Sequence, residues 1–125
     1  STGGNLPEIR KAIMKNTDLP IGTVPMYEIG VESRKKYGRV IDMDEDIIFN
    51  VIERQAKEGV DFMTLHCGIT KNSVESLKND KRIMGVVSRG GAFLTAYIMY
   101  HNKENPLYEQ FDYLLEILKE HDVTL

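Results

Sequence analysis

Val60-Asp61-Phe62-Met63-Thr64-Leu65-His66-Cys67-Gly68 is an apolar run that halts at a histidine and a glycine. Val60, Phe62, Met63 and Leu65 leave little room for a solvent-facing side, so 60–65 reads as a strand buried on both faces, the kind found in helix-covered parallel sheets. A firm helix pattern precedes it: Asp42 and Glu45 have the spacing of a capping box, Ile47, Ile48, Val51 and Ile52 share one face, and Gly59 marks the stop.

The same layout recurs on both sides. Upstream, Asn5 can cap a helix with Pro7 and Glu8 in its first turn and Leu6, Ile9 and Ile13 on one face, ending near Lys15. An apolar strand from Pro20 to Val24 follows, limited by Pro25, which has no N–H for a sheet ladder. Residues 28–41, with a basic run from Arg34 to Lys36, read as a loop or irregular helix. Downstream, Lys71–Arg82 reads as a short polar helix or loop, Ile83–Val87 as a third strand, and Ala92–His101 as a helix. Asn105 and Pro106 cap a further helix with Leu107, Phe111, Leu114, Leu115 and Leu118 at helical spacing, and Asp122–Leu125 starts a fourth strand.

Such alternation favours parallel pairing through right-handed crossovers. The expected fold is α/β, a partial (β/α)8 TIM-type barrel of about four alternating strand/helix units. An open doubly wound sheet is the alternative, though no Gly-x-Gly-x-x-Gly follows the first strand. A complete barrel usually needs about 250 residues. The chain has 125, so residues 1–125 are expected to form a single fragment, the N-terminal half of a barrel catalytic domain. Its start at Ser1 without Met and its end on a strand-like run at Leu125 fit part of an enzyme.

An apolar share of 42% and a charged share of 28% belong to a chain that can bury a core. The net charge of -3 is spread along interspersed acids and bases, with no basic face for nucleic acid or an anionic membrane. No apolar run approaches the roughly 20 residues of a membrane span, and the residues from Ser1 onward lack a signal peptide's basic and apolar regions. A single cysteine, Cys67, excludes an internal disulfide framework and fits a reducing compartment, expected to be the cytoplasm.

In a barrel the strand C-termini form the ligand-holding face. Tyr27, His66, Ser88 and Arg89 each fall where an apolar run ends. At Ser88-Arg89-Gly90-Gly91, two glycines permit close backbone approach, the next helix offers free N–H groups, and Arg89 adds a bidentate donor. That combination suits a phosphate; a plain tight turn with a solvated arginine is the other reading. His66 suits a general acid/base, a hydrogen bond to a ring substrate, or a structural role. Tyr27 suits either a ligand hydrogen bond or the covering of a barrel end. Cys67 reads as a small buried residue, and His101 and His121 as helix C-terminal cations. One cysteine and three separated histidines give no zinc or iron-sulfur spacing, so no self-contained metal site is expected.

Five blocks, taken in order, give the chain a family resemblance. They are Ser1-Thr2-Gly3-Gly4 with Glu8-Ile9-Arg10; Pro20-Ile21-Gly22-Thr23-Val24-Pro25-Met26-Tyr27; Gln55-Ala56, Gly59-Val60-Asp61-Phe62 and Thr64-Leu65-His66-Cys67-Gly68; Gly85-Val86-Val87-Ser88-Arg89-Gly90-Gly91; and His101-Asn102-Lys103-Glu104-Asn105-Pro106-Leu107-Tyr108. Collinear over essentially the whole chain, they resemble the ThiC family of thiamine biosynthesis, the phosphomethylpyrimidine synthases. The resemblance implies a radical S-adenosylmethionine lyase with a barrel catalytic domain that converts aminoimidazole ribotide to hydroxymethylpyrimidine phosphate. It places substrate-binding positions on Tyr27, His66, Ser88, Arg89 and Gly90. It further implies a 4Fe-4S cluster, S-adenosylmethionine and a candidate zinc site in the complete enzyme. The family's Cys-x-x-Cys-x-x-x-x-Cys ligands and later metal-binding histidines are absent from 1–125, so this piece alone is expected to be inactive. Two alternatives stay open: the related hydroxybenzimidazole synthase of cobamide biosynthesis, and a non-catalytic half-barrel assembly unit. A half-barrel exposes strand edges, so homo-oligomerisation or association with the missing half is expected.

Overall fold

The computed structural model describes residues 4–79 and 86–125. Local chemistry sets the helix boundaries. In α1 (Leu6–Lys15) the Asn5 side chain accepts the Glu8 N–H at 3.4 Å, with Pro7 in the first turn and Lys15 in the last. After β1 (Gly22–Thr23) comes α2 (Pro25–Tyr37), which stops at Gly38 with φ 84°. A 3-10 turn, Val40–Asp42, leads into α3 (Glu45–Lys57). Then follow β2 (Phe62–Met63), α4 (Lys71–Asn79), α5 (Arg89–His101), α6 (Pro106–Glu109) and α7 (Phe111–Glu120). The described residues thus form an α/β fold dominated by seven α-helices, with one two-stranded parallel sheet.

The sheet pairs Gly22 with Phe62 and Thr23 with Met63 in parallel. The Asp61 N–H donates to Ile21 O at 2.8 Å, and the Thr64 N–H donates to Thr23 O at 2.9 Å. On the other edge of β2, Thr124 forms a parallel bridge to Phe62, and the Met63 N–H donates to Thr124 O at 2.9 Å. Asp122, at φ 54°, ends α7 and turns the chain back along β2. Parallel pairing is therefore as the alternation of elements implies.

Several details differ from the sequence reading. The strands are two residues long: at one end the Asp61 carboxylate takes the Ile21 N–H at 2.7 Å, and beyond the other α2 begins at Pro25. Met63 is buried, but Phe62 is 46% exposed on an open sheet face, so this strand is not covered on both sides. The Phe62 ring lies over Gly22, where a Cβ would come within 1.9 Å of it. Residues 83–85 of the expected third strand lie outside the described residues, while Val86 and Val87 are exposed and belong to no strand. A sequential barrel gives its third strand the edge of β2 that Thr124 occupies here.

Residues 28–37 form regular helix rather than the expected loop or irregular helix. Met26, Ile29, Gly30 and Ser33 turn inward, and the basic run faces out at the helix's C-terminal, electronegative end. Polar and small residues on the buried face hide the 3.6-residue hydrophobic pattern. The α3 cap is Asp44, which accepts the Ile47 N–H at 2.8 Å. Asp42 closes the 3-10 turn and pairs with Arg39 instead.

The core centres on α3, whose Ile47, Ile48, Phe49, Val51 and Ile52 are buried. It packs against α2 and α7, while α5 packs against α2 and α4. Leu107, Leu114, Ile117 and Leu118 complete this layer; Gln110 breaks the expected helix in two, leaving Phe111 and Leu115 partly exposed.

Candidate functional site

Ser88 is the N-cap of α5, so the Ser-Arg-Gly-Gly segment is a cap and first helical turn rather than a loop before a helix at Ala92. Its hydroxyl oxygen accepts the Gly91 N–H at 2.8 Å and stands 3.1 Å from His66 Nε2. The cap thereby consumes one of the helix's leading N–H groups. Among the described residues those of Arg89 and Gly90 meet no acceptor and are open to an anion, since the first N–H groups of a helix have no intrahelical acceptor.

The His66 ring lies against Gly90 with no space between: a Cβ on Gly90 would sit 2.4 Å from Cε1 and 2.8 Å from Nε2. His66 Nδ1 is buried without a hydrogen-bond partner among the described residues. Burial lowers the His66 pKa, so at neutral pH the ring is an uncharged hydrogen-bonding group. Cys67, next in the chain, packs against the core, and burial raises its thiol pKa. That environment keeps it protonated and unsuited to nucleophilic work.

Arg89 projects from the same helical turn in another direction. Its guanidinium carbon lies 5.9 Å from the centre of the Tyr27 ring, a cation-π arrangement. Both residues line a cleft of about 220 Å³ between α2 and α5, with Gly30, Val31, Arg34 and Phe93. No carboxylate lines it among the described residues, which leaves a cationic and aromatic wall suited to an anion. Tyr27 belongs to the first turn of α2 rather than to a loop beyond β1. It also borders a pocket of about 350 Å³ formed by α1 and β1, with Ile9, Ile13 and Thr23.

The structure therefore gathers the residues in two pairs of contacts joined at Ser88-Arg89-Gly90. One is His66 with Ser88 and Gly90; the other is Tyr27 with Arg89. Among the described residues no group of three or more His, Cys, Asp or Glu side chains is placed to hold a metal ion.

Two features escape a reading of the sequence. Asn105 caps α6 as its position suggests, but it is fully buried, and its amide also donates to His66 O at 2.8 Å and Ile69 O at 2.9 Å. Beside Tyr27, the buried Glu28 carboxylate accepts from Arg10 at 2.7 Å, Arg54 at 2.6 Å and Gln55 at 2.5 Å. Arg10 also reaches Glu58 at 2.6 Å, and Arg54 also reaches Glu32. The sequence signals for this cluster are the Glu8-Ile9-Arg10 and Gln55-Ala56 blocks, and neither says what its Arg10 or Gln55 meets.

A pH response follows from the lowered His66 pKa. Below about pH 6.5, its ordinary value, the unfolded chain takes up a proton before the folded chain does. The contribution of the neutral, half-buried ring is thus whole above that pH and declines as pH falls through the folded value. Thermal unfolding of wild type and His66→Gln between about pH 5 and about pH 7.5 should show a shallower pH dependence for the variant. Equal slopes would contradict the assignment.

Residues 1–125, the whole chain, match the family model described as the Radical SAM ThiC family. The chain is 85% identical over 125 residues to a phosphomethylpyrimidine synthase of Methanococcus vannielii, covering 100% of this chain and 29% of that protein. It is 78% identical, with the same coverage, to the phosphomethylpyrimidine synthase of Methanocaldococcus jannaschii. Phosphomethylpyrimidine synthase 1 of Methanosphaera stadtmanae is 58% identical, again over 100% of this chain and 29% of the relative. The chain thus spans less than a third of the length of these curated relatives. With its full length matched by the family model, the chain belongs to the Radical SAM ThiC family.

Proposed function

We propose that this chain is the ribotide-holding part of a radical S-adenosylmethionine lyase that converts aminoimidazole ribotide to hydroxymethylpyrimidine phosphate in cytoplasmic thiamine biosynthesis. Tyr27, His66, Ser88, Arg89 and Gly90 form its share of the pocket. In this reading residues 1–125 are the N-terminal half of a (β/α)8 barrel domain, and the remaining strands, or a second copy, cover the open sheet face at Phe62. Parallel pairing and the location of these residues after apolar strand runs support it.

The observation that carries the proposal is the division of one helical turn. Arg89 faces the uncompensated cleft with Tyr27, while Ser88 and Gly90 hold a neutral His66. The first half suits the ribotide phosphate and the second a polar ring. The residues present do not fit the cluster: one half-buried cysteine cannot supply three thiolates. The 4Fe-4S cluster, S-adenosylmethionine and any zinc belong in this reading to other parts of the complete polypeptide.

In the complete polypeptide, Arg89→Ala should weaken ribotide binding about tenfold to about a hundredfold, the usual range for a charge-assisted hydrogen bond. Calorimetric titration with aminoimidazole ribotide checks this. Unchanged affinity in a folded variant refutes the assignment of Arg89.

A further inference from the structure

We infer that Asn105 is a positioning residue of the site: its buried amide fixes the loop from His66 to Ile69, and so sets the His66 ring against Gly90 and Ser88. As a statement about the ribotide pocket, this rests on the function proposed above.

Asn105 is 0% exposed, and its side chain works in two directions. Oδ1 accepts the Leu107 N–H at 3.0 Å, which is the capping bond of α6. Nδ2 spends both its hydrogens on the loop, one on His66 O and one on Ile69 O. Capping alone requires only the oxygen, and serine or aspartate would supply it equally well. Two N–H donors on a side chain of this length are supplied by asparagine.

The neighbouring Glu104 holds the other end of the loop. Its Oε1 accepts the Lys71 N–H at 2.9 Å and the Asn105 N–H at 2.8 Å. The connection between β2 and α4 is therefore tied at His66, Ile69 and Lys71 to one dipeptide before α6. Precision matters because the His66 ring occupies the space that a Cβ on Gly90 would need. Functional groups must be held to within about 0.5 Å, and loops reach that only with supporting hydrogen bonds.

Asn105→Asp and Asn105→Ser separate the two tasks. Each keeps a capping oxygen; aspartate turns a carboxylate toward two carbonyl oxygens, and serine is too short to reach them. In the complete polypeptide with labelled histidine, the His66 ring titration is read by NMR, helix content by circular dichroism, and ribotide affinity by calorimetry. The expected result is retained helix content, a His66 titration displaced toward the ordinary range, and about tenfold weaker ribotide binding. Wild-type His66 titration in the folded variants overturns the inference, whatever the affinity. Should the aspartate variant fail to fold, the serine variant decides by the same readings. If wild type itself fails to bind ribotide while the variants displace the His66 titration, the loop assignment stands and the ribotide reading falls.

Discussion

Gly90→Ala is expected to displace the His66 ring and, on the function proposed above, to lower the complete polypeptide's ribotide affinity about a hundredfold, although alanine is the better helix former by about 1 kcal/mol. The added Cβ would stand 2.4 Å from His66 Cε1, 2.8 Å from Nε2 and 3.0 Å from Nδ1. All three of its nearest atoms belong to the ring, so the imidazole as a whole must move. The backbone cannot retreat easily either, since Asn105 holds His66 O. Overpacking of this kind costs about 1–3 kcal/mol, which outweighs the gain in helix propensity.

The sign of the effect should reverse when the ring is removed. In a His66→Ala background, Gly90→Ala meets no imidazole, and the helix preference alone remains, worth up to about 1 kcal/mol in favour of the variant. Chemical unfolding of the four proteins in this cycle measures the coupling. If alanine at position 90 has the same effect in both backgrounds, the packing account of the glycine is wrong.

Removing the Glu28 carboxylate should have the largest effect on stability. Glu28 is 3% exposed and accepts from two arginines and a glutamine, joining α1, α2 and α3. Glu28→Ala leaves the Arg10 guanidinium with Glu58 alone, and Arg10 is itself buried. Breaking one side of a buried ion pair costs about 3–5 kcal/mol, because a charge is stranded away from water. Against a typical total stability of about 5–15 kcal/mol, the melting temperature should fall steeply. Glu28→Gln keeps the shape and some hydrogen bonds, so it should lose less; equal melting temperatures for wild type and Glu28→Ala would show that the cluster adds no net stability.

Acid should mimic the substitution. Burial alone raises the Glu28 carboxyl pKa, but hydrogen bonds from Arg10 and Gln55, the Arg10 charge and a hydrogen bond from Arg54 more than reverse it, holding it below the ordinary 4.5. Its contribution is therefore present above about pH 4.5 and lost as pH falls through the folded value. The acid limb of the stability profile should be flatter in Glu28→Gln.

Tyr27, His66, Ser88 and Arg89, the four residues that stand where an apolar run of the sequence ends, each lie in one of the two sets of contacts. The signal was legible because proline, glycine and serine punctuate a chain through local backbone chemistry. The α1 start was legible for the same reason, as Asn5 needs only the Glu8 N–H three residues on. Residues 28–37 were not, since α2 buries Glu28, Gly30 and Ser33 on its inner face and no apolar stripe announces it. The α3 cap was misread by two residues because Asp42 and Asp44 are both suitable caps, and only the 3-10 turn before α3 separates them.

What the sequence determined by itself is local: most of the helices, the caps at Asn5 and Asn105, and the family, each encoded within a few residues or in the residues themselves. The tertiary structure alone decided that Asn105 reaches 39 residues back to His66, that the His66 ring fills the space left by Gly90, and that Arg10 and Arg54 share one carboxylate. Those contacts depend on where separate elements pack. A buried donor or acceptor takes whichever partner the fold brings within about 3 Å, and spacing along the chain carries no record of that distance.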